Sequence, residues 1–222
     1  MSVFQQISVY SPLLPLTCFL LFCLKNSKIE LKVVFVYIIL SIAVDIFTTS
    51  SKWGIHYIYT IQAIFTIVEY FSVSLFIYLS FENSVFKKII LFTSLIFICY
   101  FIVNVIRSDR TKFDSMSSSL EAILIIGYCI MYMFEQINKS QISFIYSSPH
   151  FWIVMAFFIY VTSTFFLFIT TSSFSSTEKN QYWIINHISN IITNIFLSIG
   201  FIMNKNTHEL NPSEDQTELG RY

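Results

Sequence analysis

The 222-residue chain has the composition of a membrane protein and not that of a soluble domain. Apolar residues make up 55% of it and charged residues only 12%, against roughly a quarter in ordinary globular proteins. Thirteen basic residues balance thirteen acidic ones, so no basic excess remains for binding nucleic acid. The four cysteines lie inside apolar runs, which excludes a secreted fold held by disulfides.

Seven stretches are long and apolar enough to cross a bilayer, which takes about 20 helical residues. In chain order, we predict spans at Val9–Leu24, Lys32–Thr49, Ile58–Ser80, Lys88–Ile106, Ser117–Ile137, Phe151–Thr171 and Tyr182–Met203. The connections are too short to hold a soluble domain. The sequence therefore predicts an all-α polytopic membrane protein, with a seven-helix transmembrane domain over 1–203. We expect the polar stretch 204–222 to be a disordered cytoplasmic tail.

Prolines mark the start of two of these spans. Pro12 and Pro15 lie near the start of the first span, where the opening N–H groups of a helix have no intrahelical acceptor and proline is tolerated. Pro149 has the same position before the sixth span. No basic residue precedes the first span and no small-residue cleavage site follows it, so we do not expect a cleavable signal peptide.

The distribution of positive charge predicts the orientation. Seven spans place the termini on opposite sides of the membrane. Eight basic residues fall on the side of the carboxyl terminus: Lys25, Lys28, Lys32, Lys87, Lys88, Lys139, Lys205 and Arg221. Five fall on the other side: Lys52, Arg107, Arg110, Lys112 and Lys179. The positive-inside rule therefore predicts an outer amino terminus and a cytoplasmic carboxyl terminus in the plasma (inner) membrane.

Few ionisable residues lie within the spans, and each is expected to face the bundle interior. Asp45, Glu121 and His187 lie roughly 6–8 Å from the outer ends of their spans, at about 1.5 Å per residue. Glu69 lies roughly 16 Å deep, close to the midplane. Glu135 lies close to the inner end of the fifth span, and we interpret it as a solvated carboxylate at the membrane boundary.

Polar residues extend this pattern at helical spacing. Asn186, Asn190, Asn194 and Ser198 follow one another at i+4 in the seventh span, and shorter polar stripes accompany Asp45, Glu69 and Glu121. Such stripes could enclose a polar pocket that opens to the outer side. Its candidate ligand-binding residues are Asp45, Glu69, Glu121, Asn186, His187, Asn190 and Asn194. The alternative is that these groups only hold helices together, as polar residues in membrane helices commonly do.

The sequence offers little for catalysis. His187 is the only histidine well inside a span, so a zinc site of converging ligands is not expected. No nucleophile elbow, metalloprotease or phosphate-loop motif occurs. We expect no metal, no cofactor and no catalytic residue. The one enzymatic chemistry left open is a carboxylate reaction through Glu69.

Three stretches carry a resemblance: Tyr59–Leu79, Ser148–Phe168 and Tyr182–Phe201. They resemble a group of uncharacterised bacterial seven-helix membrane proteins and the seven-helix input regions of some sensor histidine kinases. The resemblance covers about a third of the chain and implies a sensory or accessory module of a bacterial plasma membrane. It brings no active site with it. The residues after the last span are too few for a kinase domain, so output through a separate cytoplasmic protein is expected.

Three hypotheses follow. The first is a non-enzymatic sensor or receptor-like module, in which a proton or small molecule enters the outer pocket and a partner protein receives the signal. The second is a proton-coupled small-molecule transporter, which the lack of internal repeats and of glycine-broken helices disfavours. The third is a carboxylate-based intramembrane lipid enzyme, for which the sequence offers least.

Overall fold

The computed structural model describes residues 3–24, 27–50, 55–107, 114–139, 145–170 and 176–210. These residues form an all-α fold with no strand. The helices are α1 (Val3–Tyr10), α2 (Leu13–Phe22), α3 (Ile29–Ser50), α4 (Ile55–Ser80), α5 (Ser84–Arg107), α6 (Ser115–Asn138), α7 (Pro149–Thr170) and α8 (Ser176–Leu210). A short 3₁₀ turn, Ile145–Ser147, precedes α7.

Seven helical segments of the described residues are long and apolar enough to span a membrane, which confirms the predicted fold class. They are Phe4–Phe22, Ile29–Thr48, Tyr57–Ser80, Ser84–Arg107, Ser115–Asn138, Pro149–Leu167 and Trp183–Asn204. Large apolar side chains cover their outer faces: Leu21, Phe92 and Ile106 are 76%, 65% and 78% exposed. A soluble monomer does not leave so much apolar surface in water, whereas lipid tails accept it.

The first span differs from its prediction. It begins at Phe4 and not at Val9, and it is interrupted between α1 and α2 at Ser11 and Pro12. Pro12 has no N–H to donate to the carbonyl oxygen of Ser8, so the helix cannot continue through it. The hydroxyl of Ser11 donates to that oxygen instead, at 2.8 Å. Pro149 opens α7 as its position predicted.

The last helix runs beyond its predicted span at both ends. It starts at Ser176 and continues to Leu210, seven residues past Met203. The remaining residues of the predicted tail, 211–222, lie outside the described residues. So do Lys52, Arg110 and Lys112, on which part of the charge count depends.

Helix α4 lies among α3, α5, α6 and α7, and α7 packs between α6 and α8. The two segments of the first span lie against α8. Aromatic side chains fill the centre of this arrangement: Tyr70, Phe76, Phe97, Phe157 and Phe201 are each at most 1% exposed. The spans of α6, α7 and α8 have the largest buried shares, and the span of α5 has the smallest.

Helices α7 and α8 form the most extensive contact, and Gly200 permits it. A Cβ atom at position 200 would lie 2.7 Å from Cγ1 of Ile153 and 3.1 Å from the carbonyl oxygen of Pro149. The first distance is shorter than real Cβ contacts and the second is tighter than most, so a larger residue here would require Ile153 or the helix backbones to shift. Gly127 in α6 is different, because nothing lies within 4 Å of the corresponding atom.

Glu135 corrects the interpretation of a solvated boundary carboxylate. Its side chain is 9% exposed, and its Oε1 atom accepts hydrogen bonds from the backbone N–H groups of Glu82 and Asn83, at 3.1 and 3.0 Å. The carboxylate therefore holds the turn between α4 and α5 against α6. Its position near a span end was correct, but the sequence contained no sign of the turn that it supports.

Candidate functional site

Three carboxylates from three helices lie between the middle of the bundle and its amino-terminal side, within electrostatic range of one another in pairs. They are Asp45 of α3, Glu69 of α4 and Glu121 of α6, and Tyr37 of α3 and Tyr160 of α7 lie beside them. Each carboxylate interacts electrostatically with at least one of the others: Glu69 with Asp45, and Glu121 with Glu69. We call these five residues the acidic cluster.

Helical spacing brings these side chains together. Tyr37 and Asp45 are eight residues apart, about two turns, so they lie on similar faces of α3. Glu121 belongs to the buried face of α6, which also includes Ser118, Ala122 and Ile125. Measured from the span ends at about 1.5 Å per residue, Asp45 lies about 5 Å deep, Glu121 about 9 Å and Glu69 about 18 Å. The cluster therefore extends from near one membrane boundary to the middle of the bundle.

The two deeper carboxylates are buried and poorly partnered. Glu69 is 9% exposed and Glu121 is 5% exposed. The hydroxyl of Tyr37 donates to Oε1 of Glu69 at 2.9 Å. Oε1 of Glu121 is buried and has no hydrogen-bond partner among the described residues. Within the same part of the chain, no lysine or arginine forms an ion pair with the cluster. The site therefore holds acidic side chains that have no basic partner among the described residues.

The asparagines of α8 lie in a separate contact. Nδ2 of Asn190 donates to Oγ of Ser8 at 3.2 Å, and Nδ2 of Asn194 donates to Oγ of Ser11 at 2.8 Å. Nδ2 of Asn194 also approaches Oδ1 of Asn190 at 3.3 Å. We call these four residues the asparagine seam. It attaches the first span to α8, so these amides are engaged within the protein.

Asn186 and His187 lie nearer the start of the last span, and both are half-buried. No hydrogen bond between described residues joins either of them to the acidic cluster. The structure thus divides the seven candidate ligand-binding residues. It brings Asp45, Glu69 and Glu121 within electrostatic range of one another in pairs, and it places Asn190 and Asn194 of α8 in contact with the first span. It leaves Asn186 and His187 outside both groups.

Sequence reasoning missed the two tyrosines of the acidic cluster. Tyr37 could have been found by extending the stripe of Asp45 and Ser41 one further turn along α3. Tyr160 has no such signal, because it lies in an apolar helix among other aromatic residues. Its role depends on which face of α7 meets α3 and α4, and the sequence does not specify that face.

A chain of aromatic contacts leads from the acidic cluster towards the carboxyl-terminal side of the bundle. The ring of Tyr37 meets that of Phe157 edge-on, with centroids 5.5 Å apart. Phe157 lies 6.1 Å from Phe76, and Phe76 stacks on the imidazole of His150 at 5.9 Å. His150 lines a cavity at the opposite end of the helices. We call Tyr37, Phe157, Phe76 and His150 the aromatic path.

Among the described residues, no group of three His, Cys, Asp or Glu side chains is arranged to hold a metal ion. The four cysteines are free thiols. Comparisons of the chain with protein-family models, curated proteins and solved structures return no match. The resemblance to bacterial seven-helix sensor modules therefore stays a prediction.

Proposed function

We propose that this chain is a non-enzymatic seven-helix sensor or receptor-like module of a bacterial plasma membrane. The acidic cluster receives a proton or a small cationic ligand, and a separate protein on the other side of the membrane receives the signal. One observation carries the proposal: Asp45, Glu69 and Glu121 come from three helices, Glu69 lies within electrostatic range of the other two, and none has a basic partner among the described residues. Intramembrane carboxylates are expensive and usually mark functional sites.

The charge of the cluster favours a cation or a proton as the ligand. Two or three carboxylates close together repel one another when ionised, and the unpartnered oxygen of Glu121 lacks a donor. A proton or an ammonium group would supply both the positive charge and the donor. The proposed orientation follows from the eight-to-five distribution of positive charge, which directs the amino-terminal side outwards.

The aromatic path is the proposed route for the signal. A ligand shifts a conformational equilibrium only by binding one arrangement more tightly than another. A cation beside Glu69 competes with the hydroxyl of Tyr37 for the carboxylate oxygen, and Tyr37 packs on Phe157. Movement of that ring would be passed to Phe76 and then to His150. Contiguous packing of this kind can carry coupling, and only a measurement of coupling establishes it.

The fluorescence of Trp152 tests the proposal. Trp152 lies near the start of α7, where its Nε1 donates to the carbonyl oxygen of Tyr146 at 2.8 Å. Replacing the other two tryptophans, Trp53→Phe and Trp183→Phe, leaves it as the only emitter. In vesicles, we expect external pH to change its emission. Glu69→Gln should abolish that change without preventing insertion.

Glu82→Gln provides the matched control, because it makes the same chemical change at an exposed carboxylate outside the acidic cluster. It should respond as the wild type does. A full response in the Glu69→Gln variant would remove the deep carboxylate from the mechanism. A response lost equally in both variants would indicate a general effect of charge and would also contradict the proposal.

The transporter hypothesis shares the buried carboxylates and differs in requiring a pathway to both sides. Phe76 and Phe157, at 0% and 1% exposure, fill the centre of the bundle along the aromatic path, and a carrier would have to move them. Proteoliposomes with an internal pH dye distinguish the two functions. A sensor gives no proton flux above that of empty vesicles, whereas a proton-coupled carrier gives flux that Glu69→Gln abolishes.

A further inference from the structure

A cavity of about 710 Å³ lies on the carboxyl-terminal side of the bundle, where α3 and α7 begin and α4 and α6 end. This volume is within the range of small-molecule sites, roughly 300–1,000 Å³. Its lining is charged and polar, and it includes Lys28, Glu30, Glu82, Lys139 and His150. These residues adjoin span ends, so the cavity lies at the level of the lipid headgroups.

Charges of both signs line this cavity. Nζ of Lys139 pairs with Oε1 of Glu82 at 2.9 Å, and the Glu82 side chain is 78% exposed, so this pair lies at the rim. Lys28 forms no ion pair with any described carboxylate. His150 stacks on Phe76 and interacts electrostatically with Glu30, Lys28 and Lys139. The cavity therefore has one exposed ammonium group, that of Lys28, and one partly buried carboxylate, that of Glu30, which are not paired with each other.

Glu30 adds the decisive observation. Its Oε2 atom is buried and has no hydrogen-bond partner among the described residues. A buried acceptor without a donor is unfavourable unless something else supplies one. A ligand that complements this cavity needs a cation that donates a hydrogen bond to Glu30 and an anion that pairs with Lys28.

We propose that the cavity binds a zwitterion carrying a primary ammonium group and a phosphate. The ammonium donates to Glu30 and the phosphate pairs with Lys28. Two sources share this chemistry: a phosphatidylethanolamine headgroup entering from the membrane, and free phosphoethanolamine from the aqueous phase. The position of the cavity at headgroup level favours the lipid. This site rests on the membrane-spanning fold and is independent of the proposed role of the acidic cluster.

The headgroup series tests the proposal with the unaltered full-length chain. Native mass spectrometry of the protein in detergent measures the binding of phosphatidylethanolamine, phosphatidylcholine and phosphatidylglycerol with identical acyl chains. We expect phosphatidylethanolamine to bind about tenfold more tightly than either of the others. The choline headgroup has no N–H to donate to Glu30, and the glycerol headgroup has no cation. Equal affinity for all three lipids, or a preference for either of the other two, would overturn the proposal.

Two substitutions and one control locate the site. Glu30→Gln and Lys28→Gln should each weaken phosphatidylethanolamine binding about tenfold. Lys32→Gln removes the same charge one turn further along α3, at an exposed position outside the cavity, and should change binding less than about twofold. Wild-type binding in both cavity variants would contradict the assignment. Since the headgroup series needs no variant, poor folding of a variant leaves the test decisive.

Free phosphoethanolamine separates the two sources. If calorimetry with the protein in detergent detects no binding of this molecule while the lipid binds, the membrane supplies the ligand. If the free molecule binds and competes with the lipid, the shared chemistry holds and the aqueous phase is an alternative source. If neither binds, the proposal is wrong.

Discussion

The acidic cluster and the asparagine seam are both polar regions inside an apolar bundle, but they differ in how their groups are partnered. In the seam, the amide groups of Asn190 and Asn194 donate to the hydroxyl groups of Ser8 and Ser11. In the cluster, Glu69 accepts one hydrogen bond, from Tyr37, and the Oε1 atom of Glu121 has no partner among the described residues. The sequence presents both as polar stripes at helical spacing. Only their partners tell them apart.

This difference separates two uses of polar residues in a membrane. A partnered group joins helices and contributes to stability, by about 0.6 kcal/mol on average for one interhelical hydrogen bond. A buried carboxylate without a partner forms no such stabilising hydrogen bond and remains available to a ligand. Removing polar groups should therefore have opposite effects on stability in the two regions.

The largest expected effect tests the contact between α7 and α8. Gly200→Ala should lower the unfolding free energy by about 2 kcal/mol, because the added methyl group collides with Ile153 and with the carbonyl oxygen of Pro149. Gly127→Ala is the matched control and should change it by less than about 1 kcal/mol, since its methyl group meets nothing. Unfolding by SDS titration in bicelles measures both. Equal destabilisation would mean that α7 and α8 do not approach as closely as described.

The next largest effect is expected when the hydrogen bonds of the asparagine seam are removed. Asn194→Leu removes the hydrogen bonds to Ser11 and Asn190 and should lower the unfolding free energy by about 1–1.7 kcal/mol. The pH response of Trp152 should persist, because Asn194 is outside the acidic cluster. The same SDS titration and fluorescence assay measure the two quantities. Loss of the response with stability unchanged would contradict a structural role for the asparagines and indicate a role in signalling.

Glu121→Met makes the corresponding change in the acidic cluster, and we expect stability to move in the opposite direction. The substitution replaces a buried carboxylate, one of whose oxygens has no partner, with an apolar side chain of similar size. Such replacements are often neutral or stabilising, so the unfolding free energy should rise by about 1 kcal/mol. The response of Trp152 to pH should be lost. A destabilised variant that still responds would reverse the proposed roles of the two regions.

The smallest expected effect concerns Tyr37. Tyr37→Phe removes the hydrogen bond to Glu69 and keeps the ring against Phe157, so the loss of stability should be about 0.6 kcal/mol. Its effect on signalling should be larger than its effect on stability, because the hydroxyl connects the acidic cluster to the aromatic path. The Trp152 response should weaken in this variant. A normal response would exclude the hydroxyl from the route.

Composition and hydropathy predicted the fold class and the number of spanning segments, because lipid requires long apolar helices. The depths of Asp45, Glu69 and Glu121 in the membrane stay a prediction from the helical rise. The start of the first span was wrong, because the sequence does not show that Ser11 can satisfy the carbonyl group freed by Pro12. A helix could thus begin before the proline and resume after it.

The partners of the polar residues could not be predicted. Asn190 bonds to Ser8, which is 182 residues away in the chain, and this choice depends on the first span lying against α8. Tyr160 joins the carboxylates because α7 lies beside α4 and α6. Helical periodicity shows which side chains share a face of one helix. It does not show which neighbouring helix that face meets.

The central claim is that Asp45, Glu69 and Glu121 form one site. Infrared difference spectroscopy tests it directly by following the carboxyl stretching bands of the protein in nanodiscs as the pH is changed. Interacting groups titrate together, so Asp45→Asn and Glu121→Gln should each alter the titration of the band that Glu69→Gln removes. Independent titration, in which neither substitution affects the band of Glu69, would contradict a shared site.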